Sequence, residues 1–488
     1  MADMEARTLP VRDPRTGLTE FTITVTMPDE VAAKAERLRE NQKAWGALAI
    51  GDRIAIMRRW LGEVAQRARD LGECDAADTG GCHTSYVQGF ITMGNIGGWC
   101  EDAEAALEKA MFHGTSQSMP DVEVRTQLIA YPLVGVISPW NAPMMLALLD
   151  AIPALFAGSA VLLKPSEITP RFLKPLFESV AKVPELAGVF DYVLGDGRTG
   201  KDLIDNVDLI CFTGSVPTGR KVAVACAERL IPCFLELGGK DPVIVTRNAD
   251  LERATTAVLR GAVYATGQVC FSIERVYVHE SIHDAFVALL VEKAEKVRLN
   301  SDDPKAGHIG PYTFAPQAAI VEGHIADALA KGANILTGGK TENINGGLYM
   351  RPTVLTDVTH DMVIMQDETF APMVPVMRYS TIDEAVALAN DTKFGLTASV
   401  IAGDEAEALP IAERINAGAV FVQDTFLTFA KNRTVGTQSF GFSGLGGGSR
   451  TGPESILRFV RRKALMTNHG AVADIQNDHH LGPPGGGH

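Results

Sequence analysis

From residue 133 onward the chain alternates short apolar runs with longer amphipathic ones, and this rhythm restricts the fold more than any other feature. LVGVIS reads as a strand, MMLALLDAIPALFAG as a helix and AVLLKP as a strand. RFLKPLFESVAKV and FDYVLG continue as helix and strand, and KDLIDN as a short helix. LICFTGS, GRKVAVACAER and CFLELGG close the series as strand, helix and strand. Such units with wholly apolar strands predict a parallel sheet covered on both faces. After residue 240 the rhythm resumes, with strands at DPVIVT, RVYVHE and ANILTGG and helices at 249–264, 282–297 and 315–331, so a second α/β domain is expected. Upstream, 28–72 predicts two helices, the first opened by Pro28, Asp29 and Glu30. The β-branched stretch 122–138 predicts strands.

Composition removes several function classes. A formal net charge of −14 argues against a nucleic-acid or anionic-membrane surface, which needs basic patches. The seven cysteines, at 74, 82, 100, 211, 226, 233 and 270, include no CxxC pair. They form neither a disulfide framework nor a zinc pattern, and no metal site is expected. Free thiols and a start, MADMEARTLPVRDP, without an apolar core lead to the expectation of a reducing, cytoplasmic compartment. The apolar run 142–163 is long enough to cross a bilayer, but Asp150, Pro153 and Gly158 interrupt it and flanking anchors are lacking. A buried helix followed by a buried strand is expected there, and poor order in the Gly/Pro-rich 479–488.

Several short motifs sit at element ends. FTGSVPTGRKV, 212–222, links a strand to a helix, with Gly214 and Gly219 bracketing four residues. It is a tight turn or an anion site at a helix N-terminus. LLKPSE ends a strand with Lys164, and Glu167 follows; the pair is a salt bridge or a ribose contact. In ISPWNAPM, Asn141 is an N-cap or a donor to a developing oxyanion. CFLELGGKDP sets Glu236 among apolar neighbours, which raises a carboxyl pKa and suits a general base. QDETFAP carries Glu368 and Phe370, and AVYATGQVCFSIERVYV carries Cys270, a buried thiol or a nucleophile.

Taken in order, PWN, KPSE, FTGSxxxG, ELGGKDP, GQxC and ExFxP resemble the NAD(P)-dependent aldehyde dehydrogenase superfamily, of the non-acylating, hydrolytic type, from about residue 20 to about 465. The resemblance implies an α/β fold: a Rossmann-like cofactor domain (1–111 and 131–238), an α/β catalytic domain (239–438), and a β-arm for oligomerisation with a C-terminal segment (112–130 and 439–488). It implies Cys270 as nucleophile, Asn141 as oxyanion donor and Glu236 as the base that hydrolyses the thioester. Lys164 and Glu167 would contact the adenine ribose, and Gly214, Ser215 and Gly219 the pyrophosphate. Glu368 would meet the nicotinamide ribose, with Phe370 beside the nicotinamide and Trp140 in the cleft wall. Met145, Leu149, Val269 and Phe271 would line the substrate pocket, closed by Phe426, Phe429 and Phe440.

NAD is the expected cofactor, because a carboxylate at Glu167 repels a 2′-phosphate. With no arginine at these pocket positions, a hydrophobic or aromatic aldehyde is the expected substrate, though Arg275 and Arg433 lie close in sequence. The alternatives are a semialdehyde dehydrogenase of the same mechanism, a coenzyme-A-acylating dehydrogenase and a non-catalytic scaffold. A homodimer or homotetramer is implied. Two departures stand out: Ala371-Pro372 replaces the usual Gly-Pro, and SFGFSGLGGGSRTGPESI, 439–456, is an irregular form of the family's C-terminal motif.

Overall fold

The computed structural model describes residues 7–81, 83–430, 433–472 and 474–476, apart from the side chains of 83 and 84. Segment 479–488 lies outside the described residues. A six-stranded sheet runs, edge to edge, Gly444–Leu445, Cys233–Glu236, Leu209–Thr213, Leu133–Ile137, Ala160–Lys164 and Phe190–Tyr192. From Leu133–Ile137 the chain steps to one side through the next two strands, then crosses back for Leu209–Thr213 and Cys233–Glu236. That reversal is a topological switch point, where the carboxyl ends of strands open a crevice for ligands. The parallel register pairs Ile137 with Lys164 and with Phe212, and Thr213 with Glu236. Asn141, Lys164, Gly214 and Glu236 therefore reach one edge of the sheet.

A seven-stranded sheet follows: Asn334–Thr337, Thr353–Thr356, Met373–Tyr379, Ile273–His279, Asp241–Val245, Thr397–Ile401 and Ala419–Val422. All its pairings are parallel except the first. Burial on both faces accounts for its unbroken apolar strands, with Val243, Ile244 and Val245 fully inaccessible. His113–Thr115, Val122–Ala130 and Val460–Asn468 form a separate antiparallel ribbon, exposed from Arg461 onward.

The run 142–163 is the helix Pro143–Ala157 and the strand Ala160–Lys164, both buried. No helix among the described residues is long and apolar enough to cross a membrane. The two expected N-terminal helices are Pro28–Ala47 and Ile50–Thr79. The helix Gln88–Glu108 has no counterpart in the sequence reading. Gly89, Gly94, Gly97 and Gly98 depress its intrinsic propensity, and packing along Ile50–Thr79 supplies the stability instead. The hairpin Thr8–Arg12 with Thr19–Thr24 is likewise additional.

Candidate active site

The helix Leu251–Val263 ends in a single turn, Tyr264–Gly267, before Cys270. Ala265, Thr266 and Gly267 all take left-handed backbone angles, φ 50°, 62° and 69°. Left-handed non-glycine residues carry strain, so the surroundings must hold them. Thr266 Oγ1 accepts from Gly310 N at 3.0 Å, and Gln268 grips Pro311 O at 3.2 Å and Thr313 N at 3.0 Å. A Cβ on Gly267 would lie 2.3 Å from the Ala371 carbonyl. Gly267→Ala therefore combines positive-φ strain with a backbone clash, a cost of about 3 kcal/mol. A clearly lowered thermal midpoint in differential scanning fluorimetry is the expected result.

Asn141 is not the N-cap of Pro143–Ala157; that position belongs to Ala142, which makes no side-chain cap bond. The Asn141 amide instead donates to the carbonyl of Gln268 at 2.8 Å, tying the switch-point loop to the Cys270 turn. Its second amide hydrogen remains for another acceptor. Glu236 ends its strand opposite Gly444 and accepts from Ser439 Oγ at 3.1 Å. Burial raises its pKa above the usual carboxylate range, against the opposing pull of Arg450, Ser439 and Arg458. Backbone contact continues at Gly239, where a Cβ would lie 2.3 Å from the Cys270 carbonyl oxygen. The Cys270 thiol is pushed up to about 12, first by burial and then by Glu236, Glu368 and Asp241.

Cys270 and Glu236 share the wall of a cavity of about 330 Å³. Met145, Leu149, Phe271, Phe429 and Trp99 form its apolar side. Val269, expected in the pocket, is buried and lies outside this lining. Phe426 packs behind Phe271 and Phe429, with ring centroids 5.6 Å from each. Phe440 is exposed and outside the lining. Two arginines reach the wall: Arg433, already noted as close in sequence, and Arg450, which the sequence reading did not single out. Arg433 is paired with Glu101 at 2.8 Å and Asp102 at 2.9 Å, and Arg450 with Asp150 at 2.7 Å. Arg275 is fully buried and spends its guanidinium on the carbonyls of Lys240, Leu388 and Ala389. Ser439 and Arg450 belong to the irregular C-terminal segment; a charged residue within GGGSRTG was the one local signal.

The crevice at the switch point fits a dinucleotide. Helix Val216–Glu228 begins at Ser215, which makes no side-chain bond to the first-turn N–H groups, so these stay available to an anion. A Cβ on Gly219 would meet Leu237 at 2.5 Å, so the helix packs tightly over the neighbouring strand end. Lys164 is buried, and its ammonium forms a salt bridge with Glu167 at 3.3 Å. Glu368 accepts from Gly239 N at 2.9 Å; burial, then the nearby Glu274, raise it to about 8. Phe370 holds φ 56° through bonds from its N–H and that of Thr369 to Glu274, each 2.8 Å. Its ring stands edge-on to Trp140, 5.5 Å between centroids.

Of the other described thiols, Cys100, Cys211 and Cys226 are buried. Cys74 and Cys233 are half-buried. A hydrogen bond from Cys226 pulls the Cys233 thiol down to about 7.

A family model described as "Aldehyde dehydrogenase family" matches residues 1–465. The chain is 36% identical over 471 residues to a protein of Mycolicibacterium smegmatis named "Putative succinate-semialdehyde dehydrogenase [NADP(+)]", covering 96% of this chain and 90% of that one. It is similar to the solved structure of "Putative Aldehyde Dehydrogenase PutA" from Anabaena variabilis, with TM-score 0.92 and 44% identity over 96% of this chain and 99% of that one. It is also similar to betaine aldehyde dehydrogenase from Staphylococcus aureus in complex with NAD+, with TM-score 0.89 and 28% identity over 96% and 93% of the two chains.

Proposed function

This chain belongs to the aldehyde dehydrogenase family, and from that premise we propose that it oxidises hydrophobic or aromatic aldehydes to carboxylic acids through Cys270, with Glu236 as general base. The supporting observation is that Cys270 and Glu236 line one cavity with a largely apolar wall. The Cys270 sulfur, losing its proton, bonds to the aldehyde carbon. Negative charge gathers on the former carbonyl oxygen, where the free Asn141 amide hydrogen and the Cys270 N–H can donate. A bound nicotinamide dinucleotide supplies the hydride acceptor. The thiohemiacetal carbon gives up hydride and becomes a thioester on Cys270. Glu236 takes a proton from water, whose oxygen attacks the thioester; the acid departs and the thiol is restored. The net change is aldehyde, water and oxidised cofactor to acid, reduced cofactor and a proton.

We infer NAD+ as the preferred cofactor. The Glu167 carboxylate, held by Lys164, suits a ribose diol and opposes a 2′-phosphate. The crevice residues would be Trp140, Lys164, Glu167, Gly214, Ser215, Gly219, Glu368 and Phe370. The apolar wall and the prior pairing of both cavity arginines favour an uncharged aldehyde. A second reading has one specific observation behind it: a semialdehyde carboxylate could take Arg433 from Asp102, which also lines the cavity. The exposed edge ribbon fits the role of an oligomerisation arm, for a homodimer or homotetramer.

A steady-state panel of benzaldehydes, medium-chain alkanals and succinic semialdehyde, without coenzyme A, tests the reading. Benzaldehydes or alkanals should give the highest kcat/KM, and NAD+ should exceed NADP+ by about tenfold or more, the effect of roughly one charge contact. Succinic semialdehyde as the best substrate would select the second reading, and a higher kcat/KM with NADP+ would overturn the cofactor assignment.

A further inference from the structure

We propose that Arg450 is the positioning cation of this site: Asp150 anchors it, and its charge favours the anionic forms of both Glu236 and Cys270. The inference rests on the roles proposed above for those two residues. Arg450 enters the wall of the cavity that Glu236 and Cys270 also line, from the irregular segment after the strand Gly444–Leu445, which pairs with Leu235–Glu236. Its Nη2 donates to Asp150 at 2.7 Å and to the Leu146 carbonyl at 3.3 Å. Its Nε is buried and has no partner, a guanidinium donor left unmatched in the wall that Cys270 and Glu236 share.

The charges around the two reacting groups are unbalanced without Arg450. Burial and then the carboxylates of Glu236, Glu368 and Asp241 oppose a thiolate at Cys270; Arg450 is the cation that favours it. At Glu236, Arg450 opposes the effect of burial, helped by the Ser439 hydroxyl and by Arg458, while Asp150 acts the other way. Arg433 and Asp102, also in the wall, already pair with each other.

Asp150 explains how a guanidinium stays charged there. Burial works against the Arg450 charge, and Asp150 and Glu236 outweigh it. Asp150, itself 3% exposed in the middle of a helix, is bracketed by Arg450 and by Arg458, each 2.7 Å away. Arg458 is in turn stacked between Phe234 and Phe459, 5.1 Å from each ring centroid. The triad carries one net positive charge, and Arg450 is the member that reaches the cavity.

The test is the iodoacetamide alkylation rate of Cys270 from pH 6 to 10, without aldehyde or cofactor, read peptide by peptide so that Cys233 is scored separately. Each pKa unit changes the thiolate fraction about tenfold. Arg450→Gln should slow Cys270 alkylation at pH 8 about tenfold and move the acidic limb of the kcat–pH profile upward. Arg450→Lys should restore both to within about threefold of the wild type. Asp150→Asn, which loosens the anchor but leaves the guanidinium in the wall, should slow alkylation less than Arg450→Gln does. A purely structural triad would impair all three variants alike. Unchanged alkylation in folded Arg450→Gln overturns the inference, as does a rate in Asp150→Asn slower than in Arg450→Gln. Should Arg450→Gln fail to fold, Arg450→Lys decides: alkylation within about threefold of the wild type supports the inference and a roughly tenfold loss overturns it. Failure of the underlying function reads differently, as NAD(P)H formation that survives Cys270→Ala.

Discussion

Cys270→Ala should abolish aldehyde-dependent NAD(P)H formation. Loss of a covalent nucleophile costs on the order of 10⁴-fold or more, about 5.5 kcal/mol of barrier. The size follows from geometry. Cys270 is the one described cysteine in the cavity wall, so no neighbouring thiol can take its place. The substitution leaves the turn intact, because Ala265, Thr266 and Gly267 set its backbone and the Gln268 side chain holds it. Thermal midpoint and dinucleotide binding should stay close to the wild type. More than about 1% residual kcat would place the covalent step on another group.

Glu236→Gln separates the two halves of the reaction. Acylation needs the thiolate and the oxyanion donors, whereas hydrolysis needs a base. The variant should release about one NAD(P)H per active site in a burst, then turn over about 10²- to 10⁴-fold more slowly than the wild type. Glutamine retains an oxygen to accept the Ser439 hydrogen bond, so the effect isolates the lost proton acceptor. The sign of the pH dependence follows from the raised carboxyl. The basic form accumulates as pH rises, so wild-type kcat should climb through a limb above the ordinary glutamate range. Rapid-mixing absorbance and a pH series read both effects; a variant that keeps the limb and the turnover removes Glu236 from the role.

The central strands and helices were legible because each carries its own pattern. A buried parallel strand must be apolar throughout, and LVGVI, AVLLK and VIV declare it. The motif residues were legible for the same reason: they stand at strand ends, and strand ends can be read. What escaped depends on distant partners. Helix Gln88–Glu108 contains glycines that locally signal breaks, and packing overrides them. Asn141 looked like a cap by position, yet its partner is a carbonyl 127 residues away. Arg450 sits in a glycine-rich run without periodicity, and the strand before it pairs with Leu235–Glu236 across more than 200 residues. Val269 was assigned to the pocket as a neighbour of the nucleophile, but it is buried away from the cavity lining: adjacency in sequence is not adjacency in the wall.

The short pairing of Gly444–Leu445 with Leu235–Glu236, and the longer one of Val460–Asn468 with Val122–Ala130, also set an order of events during synthesis. Both sheets wait for strands that lie far downstream of their partners. Until then the growing polypeptide holds its thiol and its base without Ser439, Arg450 or the closing strand, and it exposes unpaired backbone along Val122–Ala130. Contacts this distant in sequence form slowly, and an open strand edge invites pairing with other chains. Loss of Gly444–Leu445 and Val460–Asn468 would therefore cost solubility and catalysis together.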